Sequence, residues 1–575
     1  MVKQDHPTFR PIGNVIKFFH ETPVPAMDPS HPPDGELLQR AMGCTIALFH
    51  AIDKLKKRPS WRELAVAKII PAVEQLCLWM GFLLRVDLDD VSETKFINHQ
   101  TRRAKDAYLK NSAVIRGFVD LDGRLQEAFI SAPAFVEFVA RLWAGQNNEH
   151  FLFLNEEHGC PIMYLMLTVL GNDDCRTSLF HHVTASPPWF YTRFIDGTLE
   201  RSRLASDSFI KINPIKTLIY IAELQDATEL LILDPGLRRR LHKEEYLTNF
   251  AEALMFTSME KRIWDRTSLR KFLQLLLALA GHCERDSRTI FNWRDLVYGS
   301  FFVTTVRVLA AIPPKDNQSI KIGDQLLKLI GQYCVFPSVL SKIGYIEIPK
   351  DLVMNSALAS DWSTLSRATE KGLEIYKDQY QNGISLCDNL TCSHSVDSSS
   401  SFKSKACSGC SSVAYCSRQC QKEDWAKRHR LECQYSRIEH ALRRLDETLY
   451  RLPSRGFHVA LIESIFNENK LEIEKLRGQD PKPNVTVIDF TRDGGRNFPT
   501  EDLEIWYSEA IGLTPQYLEP RFSSLVQEHR TDPQAFPLVN AVFPFGTKEM
   551  LVLTVKLRAV EGSKFKGVYS VMRYL

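Results

Sequence analysis

From residue 35 to residue 377 apolar side chains recur at intervals of three and four. The stretches 61–84, 135–143, 162–170, 218–233, 269–279, 301–312 and 325–340 all show this spacing. It is the period of a helix with one buried face. Gly171-Asn172-Asp173-Asp174, Asp234-Pro235-Gly236 and Pro313-Pro314 separate the clusters, and strand-like alternation between turns is rare. The pattern predicts an all-α region over 36–380. Helices stacked over such a length suggest an armadillo- or HEAT-like solenoid scaffold, although no self-similarity at a fixed repeat length accompanies it.

The pattern changes on both sides of this region. Residues 1–35 carry Pro7, Pro11, Pro23, Pro25, Pro29, Pro32 and Pro33. Each removes a backbone donor, so the segment reads as a proline-rich tail with no lasting helix or strand, docked through 15–19. At 438–452 Leu442, Leu445 and Leu449 share one helical face, which predicts a linker helix within 434–452 that couples the chain on its two sides. Beyond it, candidate strands at 485–490 and 550–557 mix with helical stretches at 501–511 and 520–528. A small α+β C-terminal domain over 453–575 fits. A chain of 575 residues exceeds one hydrophobic core, and three or four units are expected.

Composition removes several function classes. Hydrophobic residues make up 44% and charged residues 25%, which excludes global disorder. The 72 Lys and Arg against 69 Asp and Glu leave no large basic field, so nucleic acid is not the expected partner. No continuous apolar run reaches a membrane-spanning length and the N-terminus lacks a secretory core, so no membrane partner is expected. Cys44, Cys77, Cys160, Cys175, Cys283 and Cys334 are scattered, several among apolar neighbours. They read as reduced thiols of an intracellular protein, with nucleus and cytoplasm not distinguished.

The remaining seven of thirteen cysteines fall in 387–433, in the order Cys387-x4-Cys392, Cys407-x2-Cys410, Cys416-x3-Cys420, His429-x3-Cys433. Eight donors at paired short spacings suffice for two tetrahedral zinc ions. The segment's large apolar residues are few, chiefly Leu390, Phe402, Val413, Tyr415, Trp425 and Leu431, so metal must hold it together. Gly409 allows a positive-φ turn between Cys407 and Cys410. Residues 421–431 read as a helix with Glu423–Lys427 and Asp424–Arg428 pairs, and Trp425 one turn before His429 can shield the metal.

These motifs, with Val413-Ala414-Tyr415-Cys416-Ser417 and Asp424-Trp425, resemble the MYND zinc finger. The resemblance implies that Cys387, Cys392, Cys416 and Cys420 hold one zinc and Cys407, Cys410, His429 and Cys433 the other. It implies a binding surface for a protein or a short proline-containing peptide near Tyr415, Gln421 and Trp425. Packing around the metal is the competing role of those three. The chain departs from the family in a serine-rich insertion at 393–406 and in one extra residue between Trp425 and His429; neither removes a ligand.

Other signals carry less. His394 reads as a loop histidine. His181-His182 with Cys175 lacks a second pair at ligand spacing, and the basic runs 54–58 and Arg238-Arg239-Arg240 read as solvated helix faces. No Walker loop, dinucleotide fingerprint, nucleophile elbow or His-Glu-x-x-His helix is present, and Asn98-His99 lies upstream of the finger rather than downstream as in the SET methyltransferases that carry one. The expected function is a non-enzymatic, zinc-binding adaptor or regulatory scaffold. The alternatives are an enzyme with its site in the C-terminal domain, around Asp489 and Arg492-Asp493-Gly494-Gly495, or a transcriptional regulator contacting DNA.

Overall fold

The computed structural model describes residues 10–26, 34–89, 97–145, 159–205, 214–259, 265–285, 288–344, 354–383, 385–392, 403–477, 482–492, 498–560 and 564–575. The chain is mainly α-helical and divides into two compact units, Met1–Ile263 and Trp264–Leu575. The boundary falls inside the stretch that apolar spacing reads as one scaffold. Spacing records that each helix has a buried face, not which neighbour covers it.

In the first unit the helices are α1 (Arg10–Glu21), α2 (Gly35–Lys57), α3 (Pro59–Ile69), α4 (Val73–Asp89), α5 (Ile97–Val119), α6 (Gly123–Ile130), α7 (Pro133–Ala144), α8 (Pro161–Gly171), α9 (Asp173–Ala185), α10 (Pro188–Leu204), α11 (Pro214–Leu231), α12 (Pro235–Lys243) and α13 (Tyr246–Ser258). Helices α1, α4, α7, α10 and α13 pack one on the next, and α2, α5, α8 and α11 do the same. Each helix in these two rows meets the one three places along, and α3 meets α6, a solenoid-like stack with a three-helix period. Helix length varies from 8 residues in α6 to 23 in α2 and α5, which explains why no fixed repeat length shows in the sequence.

Several chain breakers turn out to be helix starts. Proline opens α3, α7, α8, α10, α11 and α12, where its fixed φ suits the first turn and its missing N–H is not needed. Asn172 caps α9 by accepting from Cys175 N at 3.0 Å, and Asp234 Oδ1 caps α12 by accepting from Gly236 N and Leu237 N at 2.9 and 2.8 Å.

For the same reason the N-terminal stretch is not a structureless tail but holds a helix. Pro11 lies in the first turn of α1, and Ile16, Phe18 and Phe19 are buried. The rings of Phe18 and Phe19 sit 5.8 and 6.3 Å from that of Trp79 in α4, whose indole N–H donates to Thr22 O at 2.8 Å. Pro7, Pro29, Pro32 and Pro33 lie outside the described residues. The run Pro59–Leu84 also departs from expectation, being long and apolar enough by composition to match a membrane span; 61% of its most apolar window is buried inside the protein. It escapes notice as a continuous apolar run because Arg62, Glu63, Lys68 and Glu74 interrupt it.

The second unit begins with α14 (Arg266–Arg285), α15 (Thr289–Tyr298), α16 (Phe301–Ala310), α17 (Asn317–Tyr333), α18 (Pro337–Ile343) and α19 (Ala359–Asn382). The cysteine-rich segment comes next, with the two-residue strands β1 (Lys405–Ala406) and β2 (Ala414–Tyr415), then α20 (Arg418–Asp424) and α21 (Arg430–Leu445). The chain continues through α22 (Leu452–Glu468), α23 (Lys470–Arg477), β3 (Asn484–Asp489), β4 (Thr500–Asp502), α24 (Leu503–Gly512), α25 (Glu519–Thr531), β5 (Leu538–Pro544), β6 (Met550–Val560) and β7 (Lys564–Tyr574).

Strands β3 to β7 form one sheet in the order β4-β3-β5-β6-β7, antiparallel except for the parallel β3–β5 pair. Leu538 of β5 joins Trp506, Phe522 and Leu525 of α24 and α25, while Phe543, of opposite parity, stacks on His458 of α22 at 4.0 Å. The sheet is therefore covered on both faces. Strands β4, β5 and β7 are the ones that alternation does not reveal; β4 has three residues and lies at the start of the stretch read as helical at 501–511. β5 is buried on both faces, and β7 carries Lys564, Lys566, Gly567 and Arg573 within its length.

Candidate metal centre

The donor atoms of Cys387, Cys392, Cys416 and Cys420 all lie within 4.8 Å of one another, and so do those of Cys407, Cys410, His429 and Cys433. The interleaved pairing implied by the family is therefore the one the fold assembles. Cys392 Sγ is 3.5 Å from Cys416 Sγ, Cys416 Sγ 3.4 Å from Cys420 Sγ, and Cys410 Sγ 3.6 Å from His429 Nε2. These separations are close to the ~3.8 Å edge of a tetrahedron with ~2.3 Å zinc–sulfur bonds.

Local structure places each donor. Ser417 caps α20 by accepting from Cys420 N at 3.1 Å, which fixes the first turn carrying that ligand. In the Cys407–Cys410 turn the left-handed residue is Ser411, with φ 58°, and not Gly409 as the sequence suggests. Gly409 is required for space instead, because a Cβ there would lie 3.0 Å from Cys433 Sγ. The extra residue between Trp425 and His429 is taken up by a single π turn over Trp425–His429. Such a turn absorbs a one-residue insertion without ending the helix.

Electrostatics bear on whether a cation fits. Burial, then the neighbouring thiols, push Cys416 up to about 12; burial and the charges of Cys410 and Cys407 do the same to Cys433. Burial also raises Cys407, but backbone N–H groups and His429 outweigh it and draw it down to about 7. Four thiols crowded this way become thiolates together only around a compensating cation. His429 Nδ1 faces Glu432 Oε2 at 3.5 Å, a carboxylate behind a ligating imidazole. The two clusters fit two zinc ions, with every coordination position supplied by protein.

Around this centre lies a buried charge cluster that the sequence does not announce. Arg521 of α25 donates from Nε to both Glu432 oxygens at 3.1 Å, and from Nη2 to Glu432 Oε2 and Asp424 Oδ2 at 2.8 Å. Its Nη1 donates to Asp388 O at 2.6 Å and Tyr569 Oη at 2.8 Å. Asp388 Oδ2 in turn accepts from Ala414 N and from Arg455 Nη2, at 2.7 and 2.6 Å. Burial alone would raise Glu432, but His429 and Arg521 hold it below the usual range. Residues 388, 424, 432, 455 and 521 are too far apart in the chain for spacing to have linked them.

Asp424 consequently pairs with Arg521 and with the Tyr415 hydroxyl at 2.8 Å, not with Arg428, whose Nη2 donates to Ser524 Oγ at 3.3 Å. Glu423 accepts from Gln419 and Asn389. Gln419 and Asn389, and more weakly the Lys427 charge, hold the Glu423 carboxyl below its usual range. Tyr415 is buried, Gln421 is half-buried, and Trp425 is 42% exposed with its ring 5.7 Å from that of His429.

The linker helix also differs from expectation. α21 starts directly after His429, carries Cys433, and exposes Leu442 and Leu445 at 56% and 80%. Coupling to the C-terminal α+β part runs through its polar face, by Glu432 to Arg521 of α25, Tyr517 to Glu439, and Arg443 to Glu549. Among the sequence's minor signals, Cys175 Sγ donates to Ile130 O, His182 packs its ring 5.7 Å from Phe190, and Arg240 pairs with Glu244. His394, Phe402 and residues 493–495 lie outside the described residues.

The family model of the MYND finger matches residues 390–433, beginning three residues after Cys387. No curated protein and no solved structure matches the chain. The chain carries a MYND-type zinc finger, built into the second unit and joined to its helix α25 by buried ion pairs.

Proposed function

We propose that this protein is a non-enzymatic intracellular adaptor whose zinc-stiffened finger recruits protein partners. The observation that carries the reading is the exposed Trp425 ring seated against a zinc-ligand histidine, beside half-buried Gln421, on a frame whose eight ligands leave no coordination position for substrate or water. Tyr415 backs this surface through its bond to Asp424. An aromatic face of this kind suits the rigid, apolar ring of a proline-containing peptide, the ligand class that MYND fingers commonly take. The thirteen cysteines are all unbridged, in keeping with a reducing compartment.

An enzyme in the C-terminal domain is supported less, because the Asp489 carboxylate is engaged by Thr491 N and Oγ1 at 2.8 and 2.6 Å. The test is an array of proline-containing peptides probed with the zinc-loaded chain, with Trp425→Ala, and with Cys416→Ser. Spots that fade in both variants support the adaptor reading. Equal binding by all three proteins would sink it.

A further inference from the structure

Within the second unit a cavity of about 430 Å³ opens between α21 and the outer edge of β7. Arg455, Arg521 and Arg573 line it, and all three are buried. Two of them are matched by acids, Arg455 by Asp388 and Arg521 by Glu432 and Asp424. Arg573 is not. It is 2% exposed, its bonds run from Nη1 to the neutral acceptors Ala510 O and Thr514 Oγ1 at 2.8 and 3.1 Å, and its Nε has no partner among the described residues. Its guanidinium lies 4.6 Å over the Phe522 ring, and burial alone draws its pKa down to about 10. Arg455 Nε and Ser570 Oγ, also at the cavity, are likewise buried without partners. Buried donors left over around an uncompensated cation are costly unless an anion arrives to use them.

The backbone of β7 supplies the second half of the site. Met550 and Leu575 exchange N–H···O bonds in both directions at 2.7 and 2.8 Å, which fixes the parity of the β6–β7 ladder. Val571 and Arg573 therefore bond toward β6, while Ser570, Met572 and Tyr574 direct N–H and C=O away from it. Lower on this edge the outward groups are capped by α22: Gly567 N donates to Glu463, Phe565 N donates to Asn467 Oδ1, and Asn467 Nδ2 donates to Phe565 O. No such cap occurs at Ser570 or Met572 among the described residues, and that is where the cavity lies.

We propose that this cavity binds an extended peptide segment, which adds to the edge of β7 at Ser570 and Met572 and places a carboxylate against Arg573. Strand addition supplies main-chain bonds, and the arginine selects an acidic side chain or a chain-terminal carboxylate. The site is separate from the Trp425 surface and does not depend on it.

The experiment pans a random octapeptide phage library against the full-length, zinc-loaded protein. Recovered peptides are then measured by fluorescence anisotropy on wild type, Met572→Pro, Arg573→Leu and Trp425→Ala. Proline at 572 removes a donor that points away from β6, so the ladder survives; zinc content and melting temperature check the fold. Recovered sequences rich in Asp or Glu, binding at least tenfold weaker in Met572→Pro and Arg573→Leu, and unchanged binding in Trp425→Ala are expected. C-terminally amidated peptides separate a side-chain carboxylate from a terminal one. No acidic enrichment, or full binding by Met572→Pro, would overturn the proposal. Competition by millimolar acetate or phosphate that is indifferent to Met572→Pro would replace the peptide with a small anion. Loss in Trp425→Ala alone would place the peptide on the finger.

Discussion

Arg521 decides how the finger is held, although it lies 88 residues beyond the last zinc ligand, Cys433. Its guanidinium neutralises Glu432 and Asp424 in a dry environment, and Glu432 in turn backs His429. Arg521→Met would strand two buried carboxylates, a loss of about 3–5 kcal/mol in urea unfolding of the zinc-loaded protein. A loss under about 1 kcal/mol would mean that water solvates these acids instead. His458 makes a second prediction. It is fully buried, accepts from the Tyr450 hydroxyl at Nδ1 and donates from Nε2 to Val335 O, and burial pushes its pKa down from 6.5 to about 3. Between those values the unfolded chain binds a proton that the folded chain refuses. Stability contributed by this group is complete above pH 6.5 and falls by about 1.4 kcal/mol per unit as the pH drops toward 3. His458→Gln should flatten that part of the pH–stability profile, and an identical slope in the variant would refute the assignment. None of these roles is visible locally, because an arginine or histidine in a helical pattern carries no mark of what it faces after folding.

Among the helices, α1 and α21 depart furthest from their sequence patterns, for opposite reasons. α1 forms in a proline-dense stretch because Pro11 falls in the one turn that tolerates it, and Phe19 then fills a site against Trp79. Phe19→Ala should lower the stability of the first unit by about 3–5 kcal/mol, read as an earlier thermal transition. A dispensable tail would show no change. α21 has the apolar spacing of a buried face, yet Leu431, Tyr435, Ile438, Leu442 and Leu445 are exposed and its polar side faces the protein. Periodicity reports that such a face exists; it cannot say whether the fold uses it. The finger's ligands, by contrast, were legible because metal chemistry demands short fixed spacings that survive any packing.

In the whole molecule the finger is a structural part of the second unit rather than an independent module. Chelation should therefore disturb more than 387–433. Removing zinc leaves the thiols to reprotonate and frees His429 from the frame that holds Glu432 against Arg521. Amide exchange after treatment with a zinc chelator should rise in the finger and also in α25 and β7, which Arg521 and Tyr569 join to it, while the first unit keeps its protection. Exchange confined to 387–433 would show that the finger is autonomous.

Residue order alone was enough to locate the eight zinc ligands, the helical character of the larger part of the chain and the mixed C-terminal domain, because ligand spacing and helical period are local properties. The pairing of ligands came from likeness to a family and is matched by the fold. The division into two units, the three-helix stacking, the Arg521 cluster and the cavity beside β7 emerge only once the chain is folded. Each of these depends on which distant side chains meet when water is excluded, and a buried charge is distinguished from a solvated one only by those neighbours.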